Sequence, residues 1–217
     1  MCTRYIPPDM AATERFWQLG ARQPWQNVLT FSGGLGPFVR AARHDSEART
    51  ELVTGRFGLI PWFAESPRLK FSTMNARFEE LAQKASYRDP WKRGQRCLVL
   101  AESFDEPCWE SGRNVWWRFR RADGTPWLLA GLWNAWTDKA TGEIFESFTM
   151  LTMNADAHPL MSRMHKPDPK LPSDRQDKRS IVAIEPTDAL RWLFAPQAEA
   201  ASLVRLAPLE AFDAGPA

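Results

Sequence analysis

A tight-turn signal near the middle of the chain constrains the fold more than any other feature of the sequence. Residues 115–120 are rich in Val, Trp and Phe, and residues 127–133 form a second apolar run. Between them stands the pair Asp123-Gly124, which supplies the positive φ angles that tight β-hairpin turns require. The sequence therefore predicts a hairpin here, and with it an antiparallel sheet.

Weaker patterns extend this prediction along the chain. Further strands are expected at residues 38–43, 51–60, 97–101, 145–153 and 179–184, and a polar turn joins the first two. Helices are expected at residues 13–19 and 78–85 and after Thr187. This pattern is typical of an α+β fold. We expect one domain over residues 1–217, built around a strongly curved, mainly antiparallel β-sheet with peripheral helices, and a loose tail at 208–217.

Composition narrows the function classes without selecting one. The chain has 217 residues, a net charge of +2 and eleven tryptophans, whose rings suit both cores and stacking surfaces. So small a net charge neither indicates nor excludes nucleic acid, because a local basic groove does not need a large one. Three cysteines without C-x-x-C spacing predict neither disulfides nor a metal site, and we expect no cofactor.

Two further features of the sequence bear on where the protein is located and on which segment is mobile. The sequence has no signal-peptide pattern and no apolar run of membrane-spanning length, so a cytoplasmic monomer without membrane contact is expected. Residues 154–178 are polar and contain four prolines. A connection this long inside a compact domain is usually functional or mobile.

Cys2 is the first candidate for chemistry. Met1 is commonly removed when the second residue is small, which would leave a thiol and an α-amine on adjacent carbons. Such groups have pKa values of about 8.5 and about 7.7–8.0, so both are partly nucleophilic near neutral pH. An aldehyde could form a Schiff base with the amine, and the thiol could then close a five-membered thiazolidine. By position alone, an incidental cysteine in a frayed terminus is the simpler interpretation.

Three further residues suit such chemistry, and each also has an ordinary structural interpretation. Asn75 could hold a sugar hydroxyl or orient an amine, or it could cap a helix. Arg77 could bind a phosphate, or it could be a solvated surface residue. Glu106 could shuttle protons, although Glu102 and Asp105 compete for that role and all three could be solvated turn residues.

Of the three histidines, His165 has the most suggestive surroundings. It lies in the long polar loop close to Arg163 and Lys166, and an imidazole titrates near neutral pH. His158 precedes a proline and is typical of a turn. The cysteines and histidines show no ligand spacing, so no metal is expected.

Seven short motifs occur along the chain in a fixed order. They are Met1-Cys2-x-Arg4; Gly58-Leu59-Ile60-Pro61 with Trp62 and Phe63; Asn75-Ala76-Arg77; Arg96-Cys97-Leu98-Val99 leading to Phe104-x-Glu106; Ala130-Gly131-Leu132-Trp133; Phe148-Thr149-Met150-Leu151-Thr152; and the late His165. In this order and spacing the chain resembles the SOS-response-associated peptidase (SRAP) family along nearly its whole length.

The resemblance implies a function as well as the curved α+β fold. Cys2, freed by removal of Met1, would form a thiazolidine with the ring-opened sugar of an abasic site in single-stranded DNA and so shield the strand. Asn75 would orient the amine and the sugar, Glu106 would transfer protons, and His165 would assist Schiff-base chemistry and reversal. The residues implied to contact DNA are Arg4, Arg77, Trp62, Phe63 and Thr152.

The chain departs from the family pattern at two places. Where the family usually reads Pro-Ala-Asp-Gly-Phe-Tyr-Glu-Trp, residues 100–107 read Leu-Ala-Glu-Ser-Phe-Asp-Glu-Pro, so Glu106 has more acidic neighbours. The family's His-x-Arg-Met-Pro is replaced by His165-Lys166-Pro167 and a polar insertion. Arg163 or Lys166 would then take the place of the missing arginine as a phosphate contact, and His158 is the alternative to His165.

Two other functions stay open at this stage. In a thiol peptidase, Cys2 would be an N-terminal nucleophile, and Asn75, Glu106 and His165 would supply the base and the oxyanion site. A non-covalent single-stranded DNA binder would use the aromatic and basic residues alone, and its binding would fall steeply with salt.

Overall fold

Short strands dominate the computed structural model, which describes residues 3–21, 23–43 and 49–217. The strands are β1 (Arg4–Ile6), β2 (Thr30–Phe31), β3 (Leu35–Ala41), β4 (Thr50–Phe57), β5 (Asn75–Arg77), β6 (Arg96–Ala101), β7 (Ser103–Cys108), β8 (Val115–Arg121), β9 (Trp127–Thr137), β10 (Ile144–Asn154), β11 (Arg179–Ile181) and β12 (Phe212–Pro216). The α-helices are α1 (Met10–Trp17), α2 (Ala85–Lys92), α3 (Ala189–Phe194) and α4 (Gln197–Ser202). Short 3-10 turns occupy Phe78–Glu80, Met161–Arg163, Pro186–Asp188 and Leu209–Ala211.

One sheet closes into a ring because β10 is paired on both sides. The strand order is β10-β4-β3-β6-β9, and β9 pairs with β10 again from Ile144 to Met150. The β4–β10 pair is parallel, and the other pairs around the ring are antiparallel. β5 and β11 flank the far end of β10. The expected fold class, α+β around a strongly curved and mainly antiparallel sheet, is therefore confirmed.

A second sheet packs against one face of this ring. Its order is β12-β8-β7-β1-β2, and all its pairs are antiparallel. Tyr5 of β1 lies 5.2 Å from Phe57 of β4 and 6.4 Å from Phe148 of β10, measured between ring centroids. Phe104 of β7 lies 5.8 Å from Trp127 of β9. These contacts belong to one core cluster, which we call the inter-sheet core.

Helices cover the opposite face of the ring. Val99 of β6 points into the inter-sheet core, whereas its neighbour Leu98 points into a second core with Trp91 of α2 and Trp192 of α3. Both faces of β6 are therefore buried, as the apolar run at 97–101 predicts. Within the three described ranges, no helix is long and apolar enough to cross a membrane.

The hairpin predicted at Asp123-Gly124 is wrong. β8 pairs with β7 and β12, and β9 pairs with β6 and β10, so the chain crosses between sheets at this turn. Gly124 does adopt a positive φ of 74°. However, Asp123 accepts hydrogen bonds from the N–H and the hydroxyl of Thr125 and pairs with Arg121. The side chain of Asp123 thus finds its partners within the turn itself. Pro126 has no backbone N–H, so it cannot donate a hydrogen bond to a partner strand.

Other predictions fail at their boundaries or entirely. The helix expected at 78–85 is a single 3-10 turn, and α2 begins only at Ala85. Residues 208–217 are not a loose tail, because β12 pairs with β8 and Phe212 packs 5.2 Å from Trp127. The hairpin of β3 and β4 is confirmed by their antiparallel pairing, although its turn, residues 44–48, lies outside the described residues.

Candidate functional site

Two adjacent acids of β7 point to opposite faces of their sheet and meet different partners. Asp105 lies on the face away from the inter-sheet core, with its carboxylate 3.0 Å from Nε of Arg4 and 2.9 Å from Nε of Arg118. Glu106 points to the core side. Both carboxylates are fully buried in a strand. They are therefore not solvated turn residues.

Glu106 is paired with His165 across the site. Nε2 of His165 lies 2.8 Å from Oε2 of Glu106. The His165 backbone is in the left-handed region, with φ 63°, and its N–H donates to the carbonyl of Pro107 at 2.6 Å. A buried carboxylate in hydrogen-bond contact with an imidazole is the arrangement that a proton relay requires.

His158, the alternative to His165, has a structural environment instead. Its Nδ1 accepts hydrogen bonds from the N–H groups of Leu160 and Met161 at 3.1 and 3.0 Å. The proton is therefore assigned to Nε2, which donates to the carbonyl of Ala207 at 2.9 Å. Both nitrogens of this buried ring serve backbone groups, and it is His165 that meets Glu106.

Cys2 lies outside the described residues, but the strand that follows it runs beside Glu106. Arg4 is opposite Asp105 in the register of β1 and β7. Besides its ion pair with Asp105, the guanidinium of Arg4 stacks 3.7 Å from the ring centroid of Trp116. Arg4 is therefore held on β7 by a buried charge and an aromatic face.

Asn75 faces the same layer as Glu106. β5 runs parallel to β10, with Asn75 opposite Met150 and Arg77 opposite Thr152. Met150 belongs to the inter-sheet core, the layer toward which Glu106 also points. The backbone carbonyl of Asn75 accepts a hydrogen bond from the hydroxyl of Tyr87 at 3.1 Å. Burial raises the pKa of Tyr87 to about 12, so this hydroxyl stays protonated and remains a donor.

Arg77 is paired with the end of the long polar loop. Its Nη2 lies 2.7 Å from Oδ2 of Asp177, whose other oxygen lies 3.3 Å from Nη1 of Arg179. The guanidinium of Arg179 also donates to the carbonyl of Thr152 at 3.0 Å. Thr152 is fully buried, so its side chain is not open to the DNA contact that the family resemblance implies.

An exposed aromatic cluster precedes β5. Trp62 and Phe63 are 61% and 39% exposed, and their ring centroids are 5.6 Å apart. Phe63 also stacks on Phe71, which is half exposed and which sequence reasoning did not identify. Exposed rings of this kind can stack on unpaired bases.

The β7–β8 hairpin adds tryptophans that the sequence interpretation missed. Arg163 makes two 2.7 Å hydrogen bonds to the carboxylate of Glu110 and lies 5.2 Å from the centroid of Trp117. Nζ of Lys166 lies 5.2 Å from the centroid of Trp109. Both basic candidates thus flank the site, each over an indole ring. The missed residues are Trp109, Trp116 and Trp117, because the sequence does not predict β7 and the predicted hairpin pairs β8 with the wrong strand.

The described cysteines do not offer a second nucleophile. Cys97 and Cys108 are free thiols and both are buried. Burial raises the pKa of the Cys97 thiol well above its ordinary value, which disfavours the thiolate. Among the residues that the structure describes, no three His, Cys, Asp or Glu side chains are grouped as metal ligands would be.

Comparisons with known proteins agree on one family. The family model described as "SOS response associated peptidase (SRAP)" matches residues 1–216. The chain is 29% identical over 148 residues to the abasic site processing protein HMCES of Gallus gallus, covering 55% of this chain and 43% of that protein. It is 29% identical over 158 residues to the abasic site processing protein YobE of Bacillus subtilis, covering 71% and 64%. The aligned segment thus spans less than two thirds of either relative.

Solved structures share the whole fold. A crystal structure of a protein from Bordetella bronchiseptica superposes with a TM-score of 0.85 at 31% identity, covering 100% of this chain and 99% of that one. A protein from Bacteroides thetaiotaomicron gives a TM-score of 0.79 at 20% identity, covering 98% and 90%, which bears on the fold alone.

Proposed function

This chain belongs to the SOS response associated peptidase (SRAP) family, and from that membership we propose that it processes abasic sites in DNA. The relatives named above are abasic site processing proteins. The observation that carries the proposal to this chain is the contact of 2.8 Å between Glu106 and His165. It supplies a buried carboxylate paired with a partly exposed imidazole, beside the strand that begins two residues after Cys2.

The proposed reaction is capture of the abasic-site aldehyde by Cys2 after removal of Met1. The α-amine adds to the aldehyde carbon of the ring-opened sugar, and loss of one water gives an imine. The thiol then adds to the same carbon, its proton passes to the nitrogen, and a thiazolidine closes. Both the loss of water and the ring closure move protons, which Glu106 and His165 would deliver and accept. Asn75, which faces the same layer, would orient the amine and the sugar.

Single-stranded DNA is the proposed substrate because the site is flanked by cations and exposed rings. Trp62 and Phe63 would stack on unpaired bases, and each stacked base is worth about 1–3 kcal/mol in comparable proteins. Phosphates would be held by basic residues around the site, since each neutralised phosphate releases counterions. These residues are Arg4, Arg77, Arg163 and Lys166.

An oligonucleotide with one abasic site tests the proposal. Wild-type protein should form an adduct that survives denaturing electrophoresis, with a mass equal to protein lacking Met1 plus oligonucleotide less one water. Cys2→Ala should form none, because both heteroatoms are needed on adjacent carbons. Cys97→Ala, which alters a buried thiol, is the matched control and should behave like wild type. An adduct of equal yield with Cys2→Ala would sink the mechanism.

The family's description as a peptidase gives a second candidate, because an acid–base pair can equally activate a thiol. Cys2-dependent release of peptide from an unrelated substrate, without any DNA adduct, would favour it. Salt-sensitive binding that is unchanged in Cys2→Ala, again without adduct, would indicate a purely non-covalent binder.

A further inference from the structure

Lys178 is a buried lysine whose ammonium group serves backbone carbonyls. Only 7% of the residue is exposed. Nζ lies 2.7 Å from the carbonyl oxygen of Met164 and 2.6 Å from that of His165. Burial lowers the pKa of this amine, and the other titratable groups that face it are Asp156 and Cys108. Burial of a lysine ammonium group is unfavourable unless its N–H groups form hydrogen bonds. Here they donate to the carbonyls of two consecutive loop residues.

The backbone of Lys178 is anchored to the segment that follows β10. Its N–H donates to Oδ1 of Asp156 at 2.8 Å, and its carbonyl accepts from the N–H of Ala155 at 2.7 Å. Ala155 directly follows β10, and Lys178 directly precedes β11. The ammonium therefore extends from the closed ring toward the loop that carries His165.

His165 needs such support because its backbone conformation is unfavourable. A residue with a Cβ rarely adopts a φ of 63° unless its surroundings hold it there. Its N–H is held by the carbonyl of Pro107, and its own carbonyl is held by Lys178. With both ends of the residue fixed, the imidazole is directed at Glu106.

We propose that Lys178 is a positioning residue that holds His165 in its left-handed conformation and thereby keeps the imidazole in contact with Glu106. This positioning is a property of the DNA-free protein. Its consequence for rate rests on the proposed function, in which Glu106 and His165 transfer protons during adduct formation and reversal.

NMR of the DNA-free protein tests this positioning. The ring proton of His165 that bonds Glu106 should give a far-downfield, slowly exchanging signal, assigned by its loss in His165→Ala. Lys178→Met keeps a side chain of similar length but removes the N–H donors, so this signal should disappear. Lys178→Arg should restore it, because donors return. Lys170→Met makes the same change at an exposed position of the same loop and should leave the signal intact.

The same variants test the consequence for rate. Adduct formation should slow about tenfold to a hundredfold in Lys178→Met and its pH profile should change, while affinity for an oligonucleotide without an abasic site stays as in wild type. Lys178→Arg should recover much of the rate. If wild-type protein forms no adduct at all, the proposed function fails, and the NMR comparison still decides the role of Lys178.

Two results would overturn the inference. One is a folded Lys178→Met variant that retains the His165 ring signal and the wild-type rate. If that variant does not fold, the wild-type protein decides: the ammonium protons of Lys178 should exchange slowly enough to be observed and should couple to the carbonyls of residues 164 and 165. Fast exchange of those protons contradicts the proposal.

Discussion

Asp105 and Glu106 show how the two-residue period of a strand separates neighbouring carboxylates. Successive side chains point to opposite faces, so one acid organises arginines and the other meets an imidazole. A buried carboxylate needs a partner of this kind, because transfer of an unpaired charge from water is strongly unfavourable. The two neighbouring acids of β7 therefore have different roles, although they are adjacent in the sequence.

Asp177 forms an ion pair with the guanidinium of Arg77, which we propose binds a DNA phosphate. The carboxylate of Asp177 should therefore compete with the phosphate for this guanidinium. Asp177→Asn removes the charge, and Asn tolerates the left-handed backbone that Asp177 adopts at φ 52°. We expect binding of a labelled single-stranded oligonucleotide to tighten severalfold at low salt, measured by fluorescence anisotropy.

Asp174→Asn is the matched control for this prediction. It makes the same change at an exposed acid of the same loop, which has no arginine partner in the described part of the chain. Equal tightening in both variants would mean that net charge, and not the release of Arg77, is responsible.

At the scale of strands and helices, the sequence predicts where strands lie better than it predicts which strands pair with each other. The apolar run at 97–101 predicts a buried strand, because its length and composition suffice to indicate one. β7 was missed because it contains two acids and Pro107, which have low strand propensity; long-range ion pairs and hydrogen bonds stabilise it instead. The family resemblance implies that Glu106 and His165 act in one site, but the residues alone do not predict their contact, because His165 lies in a long loop.

Gly36 of β3 sets how closely β1 can approach the ring. A Cβ at Gly36 would lie 1.7 Å from the hydroxyl oxygen of Tyr5, next to Arg4. Gly36→Ala should therefore displace β1, lower the free energy of unfolding by about 1–3 kcal/mol in urea denaturation, and slow adduct formation. Gly215→Ala in β12 meets no atom within 4 Å and should change neither quantity. Equal stability of the two variants would contradict the packing argument.

At the scale of the whole molecule, β12 completes the sheet that carries the site. Phe212 packs 5.2 Å from Trp127 and 6.1 Å from Phe119, between ring centroids. Phe212→Ala should lower the free energy of unfolding by about 2–3 kcal/mol, less than for a fully buried ring because Phe212 is only partly buried. Thermal or urea unfolding would measure this.

The exposed neighbour Leu209 provides the comparison for that change. Leu209 is 45% exposed, so Leu209→Ala should stay within about 0.5 kcal/mol of wild type. A Phe212→Ala variant as stable as Leu209→Ala would show that the C-terminal strand contributes little to stability.

Closure of the ring through β10 also bears on aggregation. Sheets commonly polymerise where unpaired backbone N–H and C=O groups form a long flat row that a second molecule can extend. In the described ranges, the strands left on the outside are brief or awkward: β2 has two residues, β5 and β11 have three, and β12 contains Gly215 and Pro216. These edge strands offer few unpaired backbone N–H and C=O groups to a second molecule. The fold itself therefore disfavours cross-β assembly at high protein concentration.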